Sequence, residues 1–501
     1  MEAADGAGPQ TEPDDEVLEH DVVVVGAGAG GLGLAVLAAQ AGIDDVVVLE
    51  RGDGVGGTWR INTYPGAECD VPSHLYSYSF ALNPDWSKTF AGQAEILAYF
   101  ERCADEAGVR DRIRTGAGVR SLRWGDDARR WLVTTEDGDE LRARVVVSAV
   151  GTFNAPAVPD LAGLDSFAGP VLHSARWDHA VDLAGRRVGV IGTGASAIQI
   201  VPAIVDEVGH LDVYQRSAPW IMPRGDKPYA DEARAAFAAD VMAMRRHRRG
   251  IERFYEGNTV FRADDRRFGA FEHFARAHLE ASVADPVLRE ALTPDYPIGC
   301  KRVLLSDDYY PALQRDHVDL VTSPIREVVP DGIVTVDGEH HPLDVLVLAT
   351  GYHATDYLHG IEVVGRDGRR LHDDWADEPR AHLGLTVPGY PNLFVLYGPN
   401  TNQGGNSILL ILEAQARYVV QALAAMRQLG LDALEVRAEA FAEYNRRLDE
   451  DLAGTVWASC DSYFRTPSGH IATQLPHPAA WYRRRTRRID LDDYVVTPSG
   501  A

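Results

Sequence analysis

The chain is 501 residues long, 45% hydrophobic and formally −25 at neutral pH. That is apolar material for two or three domain cores, and it is the wrong sign of charge for a nucleic-acid partner, which is bound by neutralising phosphates with Lys and Arg. Part of the charge is local: residues 1–19 hold seven Asp or Glu among Pro and Gly, with no Lys or Arg, and read as a disordered acidic tail. That start lacks the basic and apolar regions of a signal peptide, and no apolar run reads as long enough for a membrane span, so a cytoplasmic protein without membrane contact is expected. Cys69, Cys103, Cys300 and Cys460 are far apart with no C-x-x-C spacing, from which reduced, structural thiols are expected.

The first ordered segment, HDVVVVGAGAGGLGLAVLAAQAGIDDVVVLERG, reads as apolar strand, glycine turn, Ala/Leu-rich helix and second apolar strand. Gly26, Gly28 and Gly31 match G-x-G-x-x-G: the first permits the tight turn, the second lets backbone approach a pyrophosphate, and the third lets helix pack on strand. Glu50 ends the second strand, where a carboxylate accepts hydrogen bonds from a ribose 2′-hydroxyl. A glycine turn that only packs is the alternative; the strand, helix and acid at their spacing favour an unphosphorylated dinucleotide such as FAD. Next comes GVGGTWRINTYPGAECDVPSHLYSYSF (54–80), an irregular loop of the kind that lies at the carboxyl ends of strands, where ligands bind. Its Asp70 is a candidate site carboxylate, with a plain turn acid as the alternative.

Two later strands, ARVVVSAVGTF (143–153) and DVLVLATGYHATD (344–356), each end in small-x-Gly, the form needed where backbone passes close to a neighbour. Between the first of these and a second fingerprint lies FAGPVLHSARWD (167–178). Its position reads as a crossover, in which His173 and Trp177 set the geometry between two units, with a catalytic His beside a Trp as the alternative. The second fingerprint, in RRVGVIGTGASAIQIVPAIVDEVGHLDVYQRSAPW, has Gly192 and Gly194, with Ala197 in the third place. Where the first unit has an acid, this one has Gln215, Arg216 and Ser217, and a guanidinium there suits a 2′-phosphate, hence NADPH over NADH. A solvated loop arginine is the alternative.

Residues 228–295 read as a mainly helical insert, and the basic runs RRHRRG (245–250) and WYRRRTRRID (481–490) as solvated faces. In YPIGCKRVLLSDDYYPALQR, Lys301 and Arg302 stand at a strand edge. Surface ion pairs are the bland reading. The sharper one is that a fixed guanidinium stabilises an anionic oxygenated flavin, with Asp70 orienting it. After 335 strand patterns resume, followed by a helix in SILLILEAQARYVVQALAAM. The expected fold class is therefore α/β, with two Rossmann-like dinucleotide-binding domains: an FAD domain split into 20–155 and 335–501, and an NADPH domain at 156–334 inserted in it and carrying the helical insert. No metal ligand is assigned.

On these residues the sequence resembles the type I Baeyer–Villiger monooxygenases, a class B flavoprotein monooxygenase family, from about residue 20 to the C-terminus. The family signature F-x-G-x-x-x-H-x-x-x-W-[PD] is matched by Phe167, Gly169, His173, Trp177 and Asp178, flanked by both fingerprints and joined by GGTW, YPGAECD, QRS, GCKR and ATGY. The resemblance implies that Gly26, Gly28, Gly31, Glu50, Arg51, Gly57, Thr58, Trp59, Asp70, Tyr76 and Val119 hold FAD. It implies that Gly192, Thr193, Gly194, Ser196, Arg216, Ser217 and Lys301 hold NADPH, and that Arg302, with Asp70, is catalytic. It implies that NADPH reduces FAD, O2 adds at flavin C4a, and the peroxide attacks a small-molecule ketone to give an ester or lactone. Ring, open-chain and aryl ketones fit these motifs equally. Relatives often carry Trp at the position of Tyr463, and the long N-terminal extension of some relatives is reduced here to the acidic tail. A sister enzyme oxygenating nitrogen or sulfur is the nearest alternative, and Trp177-Asp178 argues against it. A dithiol flavin reductase lacks its C-x-x-C, and a non-catalytic flavoprotein sensor would not need Arg302.

Overall fold

The computed structural model describes residues 17–258 and 262–500. Most of the expected acidic tail thus lies outside the described residues, and the first strand begins at Leu18. The run Val22–Val25 is 0–4% exposed because the strand Leu18–Val25 is central: it pairs in parallel with Val46–Leu49 on one side and Glu140–Ser148 on the other. A strand covered on both faces reads as continuous β-branched residues, as this one does. The sheet has eight strands, extended by the antiparallel meander Val119–Gly125, Arg130–Thr135 and Glu140–Ser148, with Leu393–Val395 pairing beside Glu140–Ser148.

The helix Ala29–Gln40 is apolar on every side because it is enclosed, its residues Gly30 to Ala38 all being buried. Against it packs Ile408–Leu429. This helix corrects the expectation that no apolar run is long enough for a membrane: its 22 residues qualify by length and composition. Two-thirds of its apolar window (67%) is buried inside the protein, so it is spent on the core.

The second sheet is all parallel, in the order Val318–Val321, His210–Tyr214, Arg187–Ile191, Val345–Leu348, Val171–His173. A three-stranded antiparallel sheet of Ile325–Val329, Gly332–Thr335 and His340–Pro342 packs on it. Here the expected boundary at 335 is corrected. Val345–Leu348 lies between two strands of the second sheet, so the chain returns to the first unit only after Leu348. Strand-like periodicity alone could not say which sheet a strand joins.

The insert is helical as expected, with Asp231–Ala239, Val241–Asn258, Phe268–Ser282 and Pro286–Ala291. Its basic run is not uniformly solvated, however. Arg245, Arg246 and Arg249 are exposed, but Arg248 is 6% exposed and donates from Nη2 to the Ser77 carbonyl at 3.0 Å. The expectation for the cysteines is also corrected: Cys300 and Cys460, 160 residues apart, are joined by a disulfide, while Cys69 and Cys103 are free and buried. Chain separation hid the pairing, because only the fold brings the two segments together.

Candidate nucleotide sites and the seam between them

Each glycine turn is locked onto the strand that leaves its unit. Gly26 has φ +101°, and a Cβ there would meet the Ala149 carbonyl oxygen at 2.8 Å; Gly192 has φ +114°, and its Cβ would meet the Ala349 oxygen at 2.5 Å. Only glycine fits both the left-handed backbone and the close approach. Ala149 and Ala349 are the small residues of the two small-x-Gly strand ends, so that repeat is explained by packing under the turns. Gly31 would place a Cβ 1.9 Å from the Gly26 oxygen, which is the close helix–strand contact read from the third glycine. In contrast, a Cβ on Gly194 would meet nothing within 4 Å. The backbone there is open to a ligand, as a pyrophosphate-facing glycine must be.

Glu50 is anchored to the first turn: one carboxylate oxygen accepts from Ala27 N and the other from Gly52 N, both at 2.7 Å. Each oxygen keeps a lone pair for a ribose hydroxyl. Arg51 follows on the exposed side. Gly57 faces the turn, its Cβ position lying 2.8 Å from Gly28 Cα, so GGTW folds back over the fingerprint. Thr58 is exposed, and Trp59 Nε1 donates to the half-buried Tyr76 hydroxyl at 3.0 Å. Val119 is buried at the start of the strand Val119–Gly125, in the core cluster that also holds Val25 and Leu49, and two residues before it the Ala117 N–H donates to the Glu50 carbonyl at 2.8 Å. The glycine turn and the anchored Glu50 carboxylate are the donor set that a dinucleotide requires.

In the second unit Thr193 Oγ1 donates to the Ser217 carbonyl at 3.0 Å, and Lys301 Nζ donates to Ser217 Oγ at 2.9 Å while lying 4.4 Å over the Tyr296 ring. Burial, and then the charge of the exposed Arg216, pull the Lys301 pKa below its ordinary value. Two cations brought together at the end of this strand favour a polyanion between them.

The loop 54–80 of the first unit reaches the second. Tyr64 donates to Gln199 Oε1 at 2.9 Å, and Gln199 Nε2 donates back to the Glu68 carbonyl at 2.9 Å. Gln199 belongs to the helix Ala197–Ile204 whose N-cap is Ser196. Arg224 pairs with Glu68 at 2.6 Å and donates to the Cys69 carbonyl at 3.0 Å. On this bridge Asp70 meets Arg302: the guanidinium donates from Nε at 2.8 Å and also from Nη2 to one carboxylate oxygen. The attraction of Asp70 outweighs burial and holds the Arg302 pKa above its ordinary value, so it stays charged.

The crossover forms the far edge of the second sheet. His173 is 7% exposed, ends the strand Val171–His173, and accepts at Nδ1 from Ala175 N at 3.0 Å. Its ring lies 6.4 Å from that of Tyr352, which donates to Asn62 Oδ1 of the first unit at 2.5 Å. Burial holds the imidazole below its ordinary pKa. Neither His173 nor Trp177 shares a hydrogen bond with Arg302 or Asp70 among the described contacts.

Sequence reasoning missed Gln199, Tyr64, Glu68 and Arg224, which carry the bridge, because nothing local distinguishes a polar residue that bonds across domains. It also missed the role of the segment after Val456. There the Tyr463 hydroxyl accepts the Arg302 backbone N–H at 3.2 Å, and Trp457 Nε1 donates to the Gly299 carbonyl at 3.0 Å.

Residues 23–231 match the family described as pyridine nucleotide-disulphide oxidoreductase. A Baeyer-Villiger monooxygenase of Streptomyces coelicolor is 46% identical over 488 residues, covering 96% of this chain and 94% of that protein. A Baeyer-Villiger monooxygenase of Pseudomonas aeruginosa is 40% identical, covering 97% and 93%. Among solved structures, an oxidized steroid monooxygenase bound to NADP has TM-score 0.87 at 34% identity over 96% of this chain and 100% of that one. Cyclohexanone monooxygenase from Rhodococcus sp. Phi1 bound to NADP+ has TM-score 0.87 at 30% identity, covering 97% and 100%.

Proposed function

Because the chain belongs to the Baeyer–Villiger monooxygenases, we propose that it inserts one oxygen atom from O2 beside the carbonyl of a small-molecule ketone, giving an ester or lactone, with Arg302 as the charge stabiliser. The observation that carries this reading is the Arg302–Asp70 pair at 2.8 Å, set on the bridge between the two glycine turns. FAD and NADPH, when bound, supply the electrons and the activated oxygen.

The residues of the chain do the rest. Gly26, Gly28, Gly31 and Glu50 hold the pyrophosphate and ribose of FAD, with Gly57, Thr58, Trp59 and Tyr76 enclosing it and Arg51 and Val119 flanking it. Gly192, Thr193, Gly194 and Ser196 hold the NADPH pyrophosphate at the start of the helix, where unsatisfied N–H groups favour an anion. Arg216, Ser217 and Lys301 hold the 2′-phosphate. Arg302 keeps its proton throughout and places its charge where negative charge develops on oxygen, including the oxyanion formed as the ketone carbonyl becomes tetrahedral. Asp70 fixes the guanidinium through the shared oxygen, so little reorganisation is needed as the charge forms. His173 and Trp177 hold the crossover geometry.

The test is incubation with NADPH, O2 and a mixed panel of ketones, sulfides and amines, followed by mass spectrometry for products heavier by one oxygen. An ester from a ketone is expected. Sulfoxides or N-oxides with no ester would overturn the reading.

A further inference from the structure

We propose that Cys300 and Cys460 form a reversible thiol–disulfide latch that clamps the loop carrying Lys301 and Arg302 to the segment 456–466. The bond spans 160 residues and lies in the middle of a narrow seam. On one side stand Gly299, Cys300 and Arg302; on the other, Trp457, Cys460 and Tyr463. Hydrogen bonds flank the disulfide along the seam, among them Trp457 Nε1 to the Gly299 carbonyl at 3.0 Å and Arg302 N to the Tyr463 hydroxyl at 3.2 Å. The sulfurs thus sit between the two contacts that fix the backbone on either side of Lys301. Cys300 is 0% exposed and Cys460 is partly exposed, so the pair has one accessible and one resolving sulfur. The remaining thiols, Cys69 and Cys103, are buried, and burial raises both pKa values, which leaves them poor competitors.

Closing takes a peroxide. The Cys460 thiolate attacks one peroxide oxygen, the O–O bond breaks, and the departing oxygen takes up the thiol proton and leaves as water or an alcohol. The Cys300 thiolate then attacks the sulfenic sulfur, the S–S bond forms, and the hydroxyl leaves as water with the Cys300 proton. Two electrons pass from the sulfurs to the peroxide. Opening is exchange with a dithiol, which becomes a disulfide as both protein sulfurs regain protons. Closed, the latch holds Lys301 on Ser217; open, it leaves the loop and segment 456–466 held by non-covalent contacts alone. The effect on NADPH rests on the role proposed for Lys301, whereas the redox change itself does not.

The experiment treats the full-length protein with hydrogen peroxide or with dithiothreitol, then denatures it and labels thiols for mass spectrometry. Of the four cysteines, two are expected to label after peroxide and four after dithiothreitol, with the peptides of Cys300 and Cys460 linked only in the first sample. In the native protein, reduction is expected to speed hydrogen exchange in 296–302 and 456–466 and to raise the KM for NADPH several-fold. Cys460→Ser is expected to behave as the reduced protein under both treatments. Four labelled thiols after peroxide, or identical exchange in the two states, would overturn the latch. Altered exchange with an unchanged KM for NADPH would leave the latch standing and overturn the placement of Lys301 on NADPH. Should Cys460→Ser fail to fold, the oxidised and reduced wild type still decide the question.

Discussion

Arg302 and Asp70, 232 residues apart in the chain, share a single carboxylate oxygen through two guanidinium nitrogens. An arginine held this way is charged and pointed before substrate arrives. Arg302→Ala is therefore expected to lower ester formation by ~10²–10³ or more, the usual loss on removing a preorganised charge stabiliser. NADPH-driven bleaching of the flavin absorbance should stay measurable. Asp70→Asn keeps the shape but removes the charge, so its loss should be smaller and accompanied by more hydrogen peroxide released per NADPH. Ester formation by Arg302→Ala at the parental rate would remove Arg302 from its assigned role.

Arg216 and the half-buried Lys301 form a cationic pocket whose members repel one another when no anion lies between them. Arg216→Ala should raise the KM for NADPH by roughly 10–150-fold, corresponding to a hydrogen bond to a charged group of about 1.5–3 kcal/mol. The KM for NADH should barely move. Equal changes for the two nucleotides would defeat the 2′-phosphate assignment.

The two fingerprints make a paired prediction about alanine. At Gly31 an added Cβ falls 1.9 Å from the Gly26 oxygen, so Gly31→Ala should cost about 1–3 kcal/mol and yield protein depleted in flavin. At Gly194 an added Cβ meets nothing within 4 Å, so Gly194→Ala should melt like the parent yet bind NADPH more weakly. Thermal melts together with nucleotide titration separate the two cases.

His74 is 2% exposed, with the rings of Tyr229, Phe237 and His247 within 4.7–5.0 Å, and burial, helped by His247, lowers its pKa to about 4. The unfolded chain titrates near 6.5 and so binds more protons than the folded one between about 4 and 6.5. The contribution of His74 is full above pH ~6.5 and is lost as pH falls toward ~4, by ~3 kcal/mol in total. His74→Gln should flatten the pH dependence of the melting temperature over that window. An unchanged slope would show that this ring is not what acid attacks.

Both glycine turns and the pairing of Arg302 with Asp70 could be read from the chain because each depends on local requirements. A tight turn needs glycine, a ribose needs an acceptor after the second strand, and a guanidinium next to a strand edge needs a carboxylate. What was not legible depends on tertiary closure. The strand Val345–Leu348 has the same apolar pattern whichever sheet it joins, and only pairing with Arg187–Ile191 decides it. Arg248 lies in a run of cations that looks solvated throughout, yet helix rotation turns that one side chain inward to the Ser77 carbonyl. Cys300 and Cys460 carry no spacing signal because 160 residues separate them.

The fit of Gly26 under Ala149 and of Gly192 under Ala349 has a mechanical consequence. The chain leaves each unit at the strand end packed under that unit's glycine turn, so both crossings lie directly beneath the two turns. Because not even a methyl group fits between either turn and the strand end beneath it, a displacement of either crossing is passed directly to the glycine turn above it.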